Sequence, residues 1–102
     1  MERKMKALYI VVNVGFAEMV VDFIRSQGAT GATVINARGV CALPKEILGI
    51  SVDTEKEIVL TVIDGERADK IMEAVRQNQA FKSDVHGICF ALPVEKVVGC
   101  DC

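Results

Sequence analysis

An α+β, ferredoxin-like βαββαβ sandwich, with a four-stranded antiparallel sheet and two helices on one face, is the fold that three observations on this sequence predict. Apolar, strand-length runs alternate with helical periodicity in the order β-α-β, and then β-α-β again. The two halves line up at an offset of fifty residues, which sets Gly15 on Gly65 and Val21 on Ile71. Each half places a glycine between an apolar strand and a helix. The hand of such crossovers is nearly fixed, so few other topologies survive. At 102 residues the chain reads as one domain, 1–102, with a single core.

The first strand is Leu8-Tyr9-Ile10-Val11-Val12, β-branched and aromatic, with the turn Asn13-Val14-Gly15 behind it. Phe16 to Gln27 then carries a helical period, with Phe16, Met19, Val20, Phe23, Ile24 and Gln27 on one face. Gly28 is placed to end that helix in the left-handed conformation. Ala32 to Arg38 is the second strand. From Gly39 to about Lys56 the pattern breaks, punctuated by Pro44 and Gly49, although Lys45-Glu46-Ile47-Leu48 could make one helical turn. Connections in compact folds are mostly about 4–6 residues, so a loop this long points to function or disorder. Glu57 to Ile63 is the third strand, stopped by Asp64-Gly65. Glu66 to Gln79 is the second helix, apolar at Ala68, Ile71, Met72 and Val75. His86 to Leu92 is the fourth strand, ended by Pro93, and Val94 to Val98 could add an edge piece.

Composition excludes several classes. The chain is 51% hydrophobic and 25% charged, ordinary for a globular protein with some excess of aliphatics. A net charge of −2 does not suggest a nucleic-acid partner. Charged Met1-Glu2-Arg3-Lys4-Met5-Lys6 leads into a strand-length run, which is neither a signal peptide nor a membrane span, so a cytoplasmic location is expected. No Gly-x-Ser-x-Gly, no phosphate-cradling loop with lysine and a single histidine leave no catalytic set, and a non-enzyme is expected.

Two helices cover only one face of a four-stranded sheet. A strand with one wet face should alternate apolar and polar residues. Leu8 to Val12 and Ile58 to Ile63 do not, since apart from Tyr9 and Thr61 they are apolar on both sides. The chain has no spare element for the second face, which makes other copies of itself the expected cover.

The strings Gly31-Ala32-Thr33-Val34 with Arg38-Gly39, Glu57-Ile58-Val59-Leu60, and Gly87-Ile88-Cys89-Phe90 with Leu92-Pro93-Val94 resemble the PII signal-transduction (nitrogen regulatory protein P-II) family over nearly the whole chain. The resemblance implies a homotrimer whose sheets pack into a central barrel and whose clefts between subunits bind adenine nucleotides. It also implies that the loop 39–56, a shortened T-loop, docks onto a transporter or enzyme. On this resemblance Gly31, Thr33, Arg38 and Gly39 line one side of the cleft, and His86 and Gly87 the other.

The departures are specific. A lysine that ATP-binding members carry after the strand-four glycine is Ile88 here, and their two arginines after Pro-Val are Gly99 and Asp101. A triphosphate needs cations to offset its desolvation, so AMP or ADP is expected over ATP. Cys41 stands where the loop base has a second glycine, and the only tyrosine is Tyr9 in the first strand, which removes uridylylation of the loop. The resemblance is to a divergent member.

Other readings stand beside these. Arg38 is either an anion-holding fork or a solvated strand-end cation. His86 is either a ligand contact or an ordinary strand-edge histidine, and Thr33 a ligand contact or a strand residue. Gly31 and Gly39 serve backbone geometry whether or not a ligand approaches. Glu55-Lys56-Glu57 and Glu66-Arg67 read as solvated charge. Cys41, three residues from Arg38, is an unreactive loop thiol or one with a modestly lowered pKa. Cys89 reads as a small buried hydrophobe. Cys100 and Cys102 form a terminal Cys-x-Cys, half of a tetrahedral soft-metal site, a redox pair or an inert tail. They define the alternative function, a trimeric metal-binding or structural protein.

Overall fold

In the computed structural model, residues 4–42, 51–82, 85 and 87–99 are described. The elements are β1 (Met5–Asn13), α1 (Ala17–Ser26), β2 (Thr33–Ala42), β3 (Ser51–Asp64), α2 (Gly65–Gln77), a short 3-10 helix (Gln79–Lys82) and β4 (Ile88–Val94). The strands form one sheet in the order β2-β3-β1-β4, with every neighbouring pair antiparallel. This is the ferredoxin-like arrangement expected from the repeated pattern: each helix carries the chain over one intervening strand.

Strand periodicity explains the core. Leu8, Ile10 and Val12 of β1 and Val59 and Ile63 of β3 point to the helical face and are buried. Ala17, Val20 and Ile24 of α1 and Ala68, Ile71 and Val75 of α2 close over them. Each fully buried aliphatic side chain contributes about 2 kcal/mol. The buried stripe of α1 runs through Ala17 rather than Met19, which is 38% exposed. A small residue at that position lets the helix sit close to the sheet.

Helix ends follow their sequences. Ala29 N–H donates to Ile24 O at 3.0 Å and Gly28 N–H to Arg25 O at 3.1 Å, with Gly28 at φ +110°. These two bonds form a Schellman motif, which a glycine adopts without the penalty of a Cβ. Asp64 caps α2, its carboxylate accepting from Arg67 N–H at 3.2 Å.

Three expectations are corrected. The pattern break between Gly39 and Lys56 is mostly strand: β2 continues to Ala42 and β3 begins at Ser51, with pairs from Arg38↔Glu55 to Ala42↔Ser51. β1 pairs with β3 only as far as Asn13↔Lys56, so the rest of the hairpin is a two-stranded ribbon that leaves the sheet. No helix of the described residues lies under it, and the apolar alternation that marks a half-buried strand is therefore missing. Pro93 does not end β4 but pairs opposite Lys6 within it. β4 is an outer strand, the place in a sheet where a proline is tolerated. Residues 95–99 form no strand. The helical turn considered at Lys45–Leu48 lies outside the described residues, as do Pro44 and Gly49.

The face away from the helices is apolar in three rows across the strands. Ile35, Ile58, Val11 and Ile88 are in register, as are Leu60, Tyr9 and Phe90, and then Val62, Ala7 and Leu92. Ile88 is 61% exposed, Leu92 49% and Phe90 41%. The two-sided apolarity read from the strands is thus present in the fold. No helix of the described residues is long and apolar enough to cross a membrane.

Candidate functional site

Gly31 and Thr33 lie where the chain enters β2. Thr61 Oγ1, on β3, donates to the carbonyl oxygen of Gly31 at 2.8 Å, which satisfies a nearly buried hydroxyl and fixes the entry to the strand. Gly31, Thr33, Thr61 and Val62 form one wall of a groove of about 340 Å³, and Val97 and Val98 form another. That volume falls in the range of small-molecule sites. None of its described lining residues is charged. The groove offers backbone groups, hydroxyls and apolar surface, which suit a planar uncharged ring better than a cluster of phosphates.

Arg38 and Gly39 occupy the far end of β2, where the ribbon departs, opposite Glu55 and Thr54. A Cβ on Gly39 would lie 3.1 Å from Lys56 Cε and 3.2 Å from Cγ, so the lysine stem fills the space that the missing side chain leaves. Gly87 precedes β4. Its N–H donates to Phe81 O at 3.0 Å, and a Cβ there would come within 2.7 Å of Phe81 Cδ1. Gly87 therefore has a packing role: it admits the ring of a residue that is only 4% exposed. Its neighbour His86 lies outside the described residues, as do Cys100 and Cys102.

One protomer does not bring these positions together. β2 and β4 are the outer strands, with β3 and β1 between them. Three interstrand steps separate them by about 14 Å. Thr33 and Arg38 stand five residues apart on one strand, about 17 Å. Gly31 and Thr33 form one place, Arg38 and Gly39 a second, and Gly87 a third.

Two residues read as solvated charge hold structure instead. Phe16 precedes α1 and offers no side-chain cap. Glu57, from β3, supplies one: its Oε1 accepts from Gly15 N–H at 2.7 Å and Ala17 N–H at 3.3 Å. Lys56 Nζ donates to Asn13 Oδ1 at 2.6 Å. The signal for Glu57 was an omission, since a helix opening on Phe with no Ser, Thr, Asp or Asn must find its acceptor elsewhere.

Cys89 faces α2 from β4, half-buried against the core, and burial pushes its thiol up to about 11. Such a thiol is poorly nucleophilic near neutral pH. Among the described residues no group of three or more His, Cys, Asp or Glu side chains gathers to hold a metal. The backbone of Cys41 is in β2.

The family model described as nitrogen regulatory protein P-II matches residues 5–100. No curated protein matches the chain. Among solved structures, GlnK of B. subtilis in its ATP complex is 18% identical with a TM-score of 0.71, over 90% of this chain and 84% of that one. CPII from Thiomonas intermedia K12, a nitrogen regulatory PII-like protein bound to ADP, AMP and bicarbonate, is 16% identical with a TM-score of 0.66, over 93% and 97%. The divalent ion tolerance protein CutA1 from Ehrlichia chaffeensis is 6% identical with a TM-score of 0.75, over 96% and 88%. At these identities each likeness is one of fold.

Proposed function

Because the chain belongs to the nitrogen regulatory protein P-II family, we propose that it is a homotrimeric regulator, not an enzyme. It senses a small metabolite in clefts between subunits and signals to a partner transporter or enzyme through the arm 39–56. The ligand is an adenine nucleotide with few phosphates, AMP or ADP before ATP, or another small anion. Its ring lies in the groove at Gly31 and Thr33. Arg38 and Gly39, with His86 and Gly87, are contributed by whichever protomers meet there.

The observation that carries this reading is the uncharged groove beside an uncovered apolar sheet face. None of its described lining residues is a cation that could hold a triphosphate, which supports a base rather than phosphates at this place. The separation of the three candidate places within one protomer supports clefts assembled from more than one copy. CPII, which shares the fold, is bound to ADP, AMP and bicarbonate, consistent with a ligand of few phosphates.

Titration calorimetry with AMP, ADP, ATP, cyclic nucleotides and bicarbonate tests it. Binding of AMP or ADP more tightly than ATP is the expected result, and silence from every nucleotide removes the nucleotide reading. The alternative, a trimeric metal-binding or structural protein, rests on Cys100 and Cys102. Metal content before and after deletion of residues 100–102 decides it, and a chain purified without zinc or copper sinks it.

A further inference from the structure

We propose that Lys56 and Asn13 form a mechanical link between the base of the β2–β3 ribbon and Val85 and Gly87 ahead of β4, so that displacement at Gly39 reaches Gly87 across the sheet. Gly39 lies on β2 and Gly87 just ahead of β4, the two outer strands, which are not neighbours in the sheet. What joins them is the end of β1 and the turn after it. The stem of Lys56, on β3, lies against the space that a side chain at Gly39 would fill, and its Nζ donates to Asn13 Oδ1 on β1 at 2.6 Å. Asn13 N–H in turn donates to Val85 O at 3.0 Å. Val85 is 2% exposed and stands two residues before Gly87, whose own N–H is held by Phe81 O.

Two further bonds clamp the same turn to β3. Val14 N–H donates to Glu55 O at 3.1 Å, and Gly15 N–H to Glu57 Oε1 at 2.7 Å. The residues Glu55, Lys56 and Glu57 are thus consecutive anchors of the segment 13–17. Lys56 is also the one anchor whose stem senses space at Gly39. A bulky residue at 39 would push that stem, and the pull would fall on Asn13.

A spatial chain of contacts becomes a coupling only when a change at one end alters the other. The link lies within one protomer and does not depend on the ligand reading. Amide hydrogen exchange on the full chain by NMR reads it, in the parent protein, Gly39→Val, Lys56→Met and the double variant. The expected result is that Gly39→Val raises exchange at Asn13 and Gly87 by about threefold or more. In the Lys56→Met background, Gly39→Val should add nothing at those two amides. Persistence of its effect without the ammonium overturns the proposal, as does exchange raised only within the ribbon. Asn13→Asp gives an independent reading should Lys56→Met fail to fold. It keeps the backbone bond and turns the acceptor into a carboxylate, so exchange at Gly87 should fall. Unchanged or faster exchange there also overturns the link.

Discussion

Tyr9 of β1 stacks on Phe90 of β4, ring centroids 5.0 Å apart and planes 7° from parallel, on the sheet face opposite the two described α-helices. Aromatic pairs of this kind contribute about 0.5–1.5 kcal/mol beyond the area they bury. Here the pair also forms the middle of an apolar surface that spans all four strands. Phe90→Asp puts a carboxylate in that surface. A charge buried there without a partner is costly, so assembly should be lost. Sedimentation at micromolar concentration should give a smaller particle for the variant than for the parent. Equal masses would mean that this face is not an interface.

Gly87→Ala tests whether the glycine before β4 serves packing. Its new Cβ meets Phe81 Cδ1 at 2.7 Å, so the ring or the strand must shift. Overpacking of this kind costs about 1–3 kcal/mol. Denaturant midpoints should fall accordingly, and Phe81→Leu in the same chain should recover part of the loss. A midpoint unchanged from the parent would leave Gly87 without a packing role.

Glu57→Ala removes the acceptor at the start of α1. Loss of an N-terminal cap costs about 1 kcal/mol, which for a chain of this size lowers the melting temperature by about 4–8 °C. Glu57→Gln retains a carbonyl oxygen and should recover most of the difference. Calorimetric melting of the two variants side by side checks the order.

Cys89 gives stability a pH dependence of defined sign. Its thiol is raised from 9.0 in the unfolded chain to about 11 in the fold. Between those values the folded state holds the proton that the unfolded state has released, so stability falls as pH rises through that window and is unaffected below it. Chemical denaturation at pH 8 and pH 10 should show the loss, and Cys89→Ser should flatten it.

The strand and helix order was legible because each core-facing element advertises its period. Leu8, Ile10 and Val12 alternate, and Val20 and Ile24 recur at helical spacing. The ribbon was not legible because its partners are backbone groups, and a ladder without a hydrophobic face leaves no period in the side chains. Pro93 misled for a related reason: its cost depends on whether the strand is an outer one, which is a property of topology. Of the candidate site, Gly31 and Thr33 fall beside a groove. Gly87 proves to carry a packing duty that a string of residue types cannot reveal, because the ring of Phe81 comes from a separate short helix. Lys56 and Glu57 were misread as solvent-facing, since their acceptor and donors sit 40 or more residues away in sequence.

The most direct test is the particle mass of the purified chain at micromolar concentration, by light scattering coupled to size exclusion. On the proposed reading the apolar face of Tyr9, Phe90, Leu60 and Ile88 is covered by other copies, and clefts shared between protomers exist only if those copies are present. A mass of three chains is the expected result. A folded, stable single chain would contradict the reading at its base.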